Sequence, residues 1–382
     1  MCVLSMLKVI DFHAQTLEDN SDLNSGENQK RKIDLNHNFS LQTKFEFGGI
    51  VPSVEEQGIE KYYGLDLRLA WQNKENDVYS TIYKSPKFGI GFYAGTFDNN
   101  TFGEPNGLYG FFESDVGIHR KKWNWIYSIG LGLAYNFHIY DPLTNPDNIL
   151  IGSHENIYIA FSLETTYNIT NHWIAGLGFG FKHFSNGKMA LPNKGINLIP
   201  ITTRIEYNFG NNNPQIDKSK VTKFIPFNLI SIFAGIGIKG FEVNEAVYFK
   251  STLGVNALRQ PNYKIRYGLG FDLFYTAGSL DRITSDKSDF NKQFSYGITT
   301  IFEWVITKRL YTPVNFGVYL NKNEENYETN FFQRLGMRYL FGKQNKMLVG
   351  VSLKVTEFHA DFVEWTVGYT FKNDKNEYKL LY

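Results

Sequence analysis

Cysteine is almost absent. Cys2 stands alone in 382 residues, which excludes an internal disulfide and any multi-cysteine metal site. It reads as a lipobox remnant or, more simply, as part of a leader that is removed or mis-started. A surplus of charge of either sign is lacking too. Lys and Arg number 39 against 38 Asp and Glu, a net charge of +1, and basic residues occur singly rather than in runs. No global field therefore points to nucleic acid or to an acidic partner. Long apolar runs are missing as well: no stretch of about 18 or more apolar residues occurs, which excludes a helical membrane protein. A membrane barrel stays open, because alternating strands keep hydropathy mild, and the mean hydropathy here is −0.31. No His, Cys and Asp cluster has metal-ligand spacing, and nothing in the chain asks for a cofactor. Calcium at the loops is the one metal the pattern leaves open.

What is present suits sheets. Length alone would read as two or three ordinary domains, but aromatics make up 16% of the chain, with 24 Tyr and 33 Phe beside 34 Gly. That mixture belongs on pleated, half-buried surfaces rather than on helices. Residues 1–10 (MCVLSMLKVI) are apolar but short, and Phe12-His13-Ala14-Gln15 loosely resembles a signal-peptidase site. Residues 1–38 are accordingly expected to be a truncated export signal and a polar, disordered lead-in.

From residue 39 the chain falls into segments of some 10–16 residues with period-two alternation. Tyr63, Leu65, Leu67, Leu69 and Trp71 oppose Asp66, Arg68 and Gln72. Leu108, Phe112, Val116 and Ile118 oppose Glu113, Asp115 and His119. Ile157, Ile159, Phe161, Leu163 and Tyr167 oppose Ser162, Glu164 and Asn168. Ile199, Ile201, Ile205 and Tyr207 oppose Arg204, Glu206 and Asn208. Ile265, Tyr267, Leu269, Phe271 and Tyr275 oppose Lys264, Arg266 and Asp272. A soluble sandwich also alternates, but its charged face is solvated and its apolar face is the core. Here the apolar faces are long and end in aromatics, and the other face carries charges of both signs. That is the pattern of lipid-facing residues alternating with a polar lumen.

The fold expected is therefore an all-β, antiparallel transmembrane β-barrel of about 16 strands, eight before residue 210 and eight after 225. The domains read as an eight-strand unit over 39–210, a linker or periplasmic turn over 211–224, and a second eight-strand unit over 225–382. Short turns at 119–122 (HRKK), 169–172 (ITNH), 307–309 (TKR) and 342–346 (GKQNK) would be periplasmic. The longer connections at 140–153, 186–196 and 277–291 would be extracellular. Each half ends in an aromatic strand, 206–209 (EYNF) and 367–371 (VGYTF), resembling the signal read by the barrel-assembly machinery. Pattern leaves open one sixteen-strand barrel or two eight-strand barrels; the single barrel is the simpler expectation. Asp66, Arg68, Glu113, Asp115, Arg204, Glu206, Arg334 and Arg338 are expected to pair inside the lumen. His359-Ala-Asp361 reads as a loop.

One segment carries chemistry. In 173–187 (WIAGLGFGFKHFSNG) the odd positions Trp173, Ala175, Leu177, Phe179 and Phe181 form the lipid face, and His183 and Ser185 continue the same series. Gly176, Gly178 and Gly180 are strictly period two with no following helix, so they are not a phosphate loop; they make room for bulky lumenal neighbours. Asn197 lies on the outward series of Ile199 and Ile201. Three polar groups thus converge on an apolar surface, where each costs several kcal/mol unless satisfied. By the turn count the cluster sits at the extracellular end. The plain alternative is a polar girdle at the membrane interface.

His183-Phe-Ser185-Asn186-Gly187, followed by Pro192-Asn193-x-Gly195, resembles the signature of the PagL-type lipid A 3-O-deacylases. The wider stretch from about Phe47 to Phe209, with Gly152-Ser-His-Glu-Asn156 inside it, resembles Bacteroidetes acyloxyacyl hydrolases. The resemblance implies an outer-membrane enzyme acting on lipid A of lipopolysaccharide in the outer leaflet, with Ser185 the nucleophile and His183 its base. It assigns oxyanion stabilisation to Asn186, Asn193 or the backbone around Gly187. The family's third triad member, a Glu twelve residues after the serine, falls here on Asn197, which orients a histidine but does not stabilise imidazolium as a carboxylate does. Glu155 is the alternative third member. The competing function is a non-enzymatic barrel, a pore or structural protein with a decayed site; it gives no reason to keep a Ser-His pair on the lipid face.

Overall fold

The computed structural model describes residues 38–51, 60–72, 78–120, 122–210, 221–243, 247–277, 290–323, 330–357 and 359–372. The expected export signal and lead-in, most of the 211–224 linker and most of the 277–291 loop lie outside them, as do the faces taken by Ile118 and His119. Among the described residues there are sixteen antiparallel strands. The first eight are β1 (Asn38–Ile50), β2 (Lys61–Gln72), β3 (Lys87–Phe97), β4 (Gly103–Arg120), β5 (Trp123–Phe137), β6 (Asn156–Asn168), β7 (Trp173–Ser185) and β8 (Ile196–Asn208). The second eight are β9 (Phe227–Lys239), β10 (Tyr248–Gln260), β11 (Ile265–Thr276), β12 (Phe294–Val305), β13 (Leu310–Asn321), β14 (Phe331–Phe341), β15 (Met347–Thr356) and β16 (His359–Lys372). A short helix, α1 (Val78–Ile82), lies between β2 and β3.

The expected alternation sets the faces. Leu65, Leu67, Leu69, Phe161, Leu177, Phe179, Ile199, Ile201, Leu269 and Phe271 are exposed on the outside, while Asp66, Arg68, Glu164, Arg204 and Asp272 are buried inside. Aromatics cluster at the rim with the short turns, where Trp173 packs on Tyr207 at 4.9 Å and Trp123 on Tyr167 at 4.8 Å. Rings at this level form the girdle of a membrane-spanning barrel.

The single-barrel expectation is overturned. β8 returns to β1, with Ser40 opposite Asn208 and Ile50 opposite Leu198, and β16 closes on β9, with Trp365 opposite Ile236 and Lys372 opposite Leu229. Eight strands leave an interior that side chains fill, and the inward residues are large enough to fill it. Tyr93, Tyr158 and Phe184 pack together in the first lumen, and Tyr109 stacks on Tyr158 at 4.6 Å. Charges are threaded between the rings. Arg204 pairs with Glu113, with Glu164 at 2.8 Å and with Glu206 at 3.1 Å. Lys182 reaches Glu46 at 2.7 Å, Arg68 reaches Asp66 at 3.2 Å, and Lys44 pairs with Glu164. Gly178 leaves room for the Glu164 side chain, whose Cγ lies 2.6 Å from where a Cβ would stand. In the second lumen Arg334 pairs with Asp272 at 3.1 Å and Glu364 at 2.9 Å.

Three smaller expectations also need correction. His359-Ala-Asp361 is not a loop but the start of β16, and Asp361 is buried among Lys239 at 2.6 Å, Lys250 at 3.0 Å and Lys354. Asp115 pairs with Lys84, at 3.6 Å, on the segment after α1 rather than on a strand. Arg338 is buried with no salt bridge among the described residues and lies over the Phe233 ring, 4.2 Å from its centroid.

The two barrels stand side by side with their short turns at the same end. Phe112 faces outward on β4 yet is buried, because Trp304 of the second barrel packs on it at 5.6 Å. Tyr83, just after α1, donates its hydroxyl to the Val305 carbonyl at 2.5 Å. With both lumens plugged by side chains, the purified protein is expected to give no stable conductance in planar bilayers; steady ohmic channels would contradict the two closed barrels.

Candidate active site

The period-two twist of β7 and β8 brings the outward polar residues together. His183 lies directly opposite Asn197 across the β7–β8 ladder and opposite Ile159 on β6. Ser185, two residues further along the same face, ends β7. The His183 Nδ1 lies 2.7 Å from Asn197 Oδ1, and His183 Nε2 lies 2.8 Å from Ser185 Oγ. With an amide oxygen facing Nδ1, the ring carries its proton there and leaves Nε2 to accept the serine hydroxyl. Ser185 is 3% exposed, so the hydroxyl sits in a nearly water-free corner of the lipid-facing surface.

Glycines make this packing possible. Gly195 precedes β8 with φ +78°, and a Cβ there would sit 2.8 Å from His183 Cε1. Only a residue without a side chain lets the chain turn under the imidazole in that left-handed conformation. Gly152, in the loop before β6, passes close enough to Leu191 that a Cβ would lie 2.5 Å from its carbonyl carbon.

The loop after Ser185 is tied down by amides. Asn186 is fully buried. Its Nδ2 donates to Ser153 Oγ at 2.7 Å and to the Ala190 carbonyl at 2.9 Å, and its backbone N–H donates to Asn193 Oδ1 at 3.0 Å. Both side-chain hydrogens of Asn186 are therefore committed to holding the loop. Asn193 differs: its Nδ2 is buried with no hydrogen-bond partner among the described residues. An unsatisfied buried amide costs about 1–3 kcal/mol, so this donor has hydrogen-bonding capacity to spare.

Of the residues named from sequence, the fold brings His183, Ser185, Asn197, Asn186, Gly187 and Asn193 into one neighbourhood. Glu155 stands apart: it is exposed in the loop before β6, and the ring nitrogen it would have to hold is taken by Asn197. Ser153 is the contributor that sequence reasoning missed. It lies inside the Gly152-Ser-His-Glu-Asn156 stretch, but only the loop packing shows that its hydroxyl anchors Asn186. Among the described residues no group of three or more His, Cys, Asp or Glu could hold a metal ion.

Two family models match the chain. Residues 61–206 match Lipid A 3-O-deacylase (PagL), and residues 228–373 match Acyloxyacyl hydrolase, C-terminal domain. No curated protein sequence matches. Among solved structures, the outer membrane enzyme PagL is similar at 15% identity and a TM-score of 0.32, covering 43% of this chain and 97% of its own. Neisserial surface protein A is similar at 10% identity and a TM-score of 0.31, covering 45% of this chain and 97% of its own. OccK5 of Pseudomonas aeruginosa is similar at 8% identity and a TM-score of 0.24, covering 88% of this chain and 97% of its own.

Proposed function

Residues 61–206 belong to the lipid A 3-O-deacylase (PagL) family and residues 228–373 to the acyloxyacyl hydrolase C-terminal domain, and from that premise we propose that the chain is a serine esterase of the Gram-negative outer membrane that removes the 3-linked acyl chain of lipid A. The observation that carries the reading is the unbroken chain Asn197–His183–Ser185 on the membrane-facing side of β7 and β8. The rim with the long loops is assigned to the cell exterior, which sets the serine beside lipopolysaccharide of the outer leaflet.

In the first step Ser185 Oγ attacks the ester carbonyl while His183 Nε2 takes the hydroxyl proton. The carbonyl oxygen becomes an oxyanion, received by Asn193 Nδ2 and by the backbone N–H of Gly187. Collapse breaks the bond to the sugar oxygen, which leaves with the proton from His183, and the acyl group stays on Ser185. Water then repeats the sequence: His183 accepts its proton, the second tetrahedral adduct forms, and collapse returns the proton to Ser185 and frees the fatty acid. Asn197 fixes the ring tautomer throughout. It supplies no negative charge to the imidazolium formed at each step, so it does part of a carboxylate's work.

The test is regiochemical. Purified protein with lipid A is expected to release one hydroxyacyl chain from the 3-position and to leave amide-linked chains in place. Asn197→Ala is expected to lower kcat at least about tenfold by freeing the ring. Asn197→Glu should hold or raise it, and Glu155→Gln should leave it unchanged. A loss on Glu155→Gln with an indifferent Asn197→Ala would move the third position to Glu155.

A further inference from the structure

The loop that follows Ser185 does not rest on the first barrel alone. Gly187 has φ +65°, and a Cβ at that position would run into Val363 Cγ2, with Val363 N at 3.3 Å and Leu353 Cδ1 at 3.5 Å. One residue on, the Lys188 carbonyl accepts a hydrogen bond from Gly240 N at 2.7 Å. A Cβ on Gly240 would sit 3.4 Å from the carbonyl oxygens of both Lys188 and Met189. Val363 is on β16, Leu353 on β15, and Gly240 directly follows β9, so all three belong to the second barrel. Val363 shares the outward series of Trp365 and Val367, which are 56% and 59% exposed, yet Val363 itself is 5% exposed. At this height the loop of the first barrel takes the place of lipid against the second.

From these contacts we infer that the second barrel is a working part of the deacylase site. Val363, Leu353 and the Gly240 amide are positioning residues that hold the 186–189 segment in the shape the oxyanion requires. The inference rests on the serine-esterase reading. Within the first barrel the segment is held by the Asn186 hydrogen bonds to Ser153 and Ala190. These fix its inner side and leave the side toward Val363 to the second barrel. There the fit admits no added methyl group, so Val363 limits how far the Gly187 amide can move. Deacylation is sensitive to such movement, since misplacing a catalytic group by about 1 Å costs roughly a hundredfold in rate.

The full-length protein in detergent decides the matter, read by kcat and KM on lipid A together with the melting temperature. Gly187→Ala pushes against Val363 and is expected to lower kcat roughly ten- to a hundredfold, with KM within about twofold. Adding Val363→Ala should restore part of that loss, the rest staying with the left-handed φ of residue 187, and that recovery is a coupling between residues of different barrels. Val363→Ala with Leu353→Ala removes the contact without any clash and should lower kcat about tenfold. Val367→Ala, further down the same face, should change neither constant. Additive losses in kcat overturn the inference, and so does coupling confined to the melting temperature. A wild-type chain inert toward lipid A sinks the serine-esterase reading and this inference together, whereas an active wild type with indifferent Val363 and Leu353 variants sinks this inference alone.

Discussion

Ser185→Ala and His183→Ala are each expected to lower the rate of lipid A deacylation at least about a thousandfold, and the double variant should be no worse than either. The reason lies in the 2.8 Å contact between the two side chains. The serine is a weak nucleophile until a base takes its proton, and the base acts on the substrate only through that hydroxyl and the water that later follows it. Removing one member therefore removes the function of both. Independent contributions would instead multiply the losses. Folding is expected to survive, because both side chains sit on the outer face and neither belongs to the lumenal charge network. Release of hydroxy fatty acid, followed alongside heat-dependent gel mobility, separates chemistry from folding. Multiplied losses would show that the two side chains act separately.

Arg204→Met is expected to be the most damaging change to the first barrel, costing about 3–5 kcal/mol of stability. Arg204 is buried and bridges Glu113, Glu164 and Glu206. Without it Glu164 keeps Lys44 and Glu206 keeps Lys87. Glu113 keeps, among the described residues, a 3.5 Å hydrogen bond from Gln42 and the more distant charges of Lys87 and Lys44, but no salt bridge. A buried carboxylate in that state must be protonated or desolvated without compensation. Arg338→Met makes the contrast, since among the described residues Arg338 forms no salt bridge; it rests on the Phe233 ring beside the Tyr311 hydroxyl. Its replacement should be neutral or stabilising. Unfolding midpoints of the two variants in one detergent check the pair of expectations, and equal losses would contradict the assigned partners.

The strands and their faces were legible because period two is written into each segment, and His183 and Ser185 inherit their common face from the same spacing. Strand closure was not. Alternation says which way Lys44 and Arg204 point, but not that β1 and β8 are neighbours; that follows from register. A clue lay in the size of the inward residues, since Tyr93, Tyr109, Tyr158 and Phe184 suit a narrow lumen and would be wasted in a wide one. The segment from His359 to Asp361 misled because β15 and β16 meet through a register break at Lys354 and Val355, and because a buried Asp among lysines looks polar in sequence. At the site, Asn197 could be found from its parity. Ser153, Val363 and Gly240 could not, because they touch the loop after the serine from another loop and from the other barrel.

The most direct test of the central claim is the mass of lipid A extracted from outer membranes of cells carrying the intact chain, the Ser185→Ala chain, or neither. The intact chain is predicted to yield lipid A lighter by one 3-linked hydroxyacyl group. The other two should yield the unshortened species at equal abundance, with the variant present in the membrane at the normal level. Shortened lipid A in the Ser185→Ala cells, or unshortened lipid A in all three, would contradict the account.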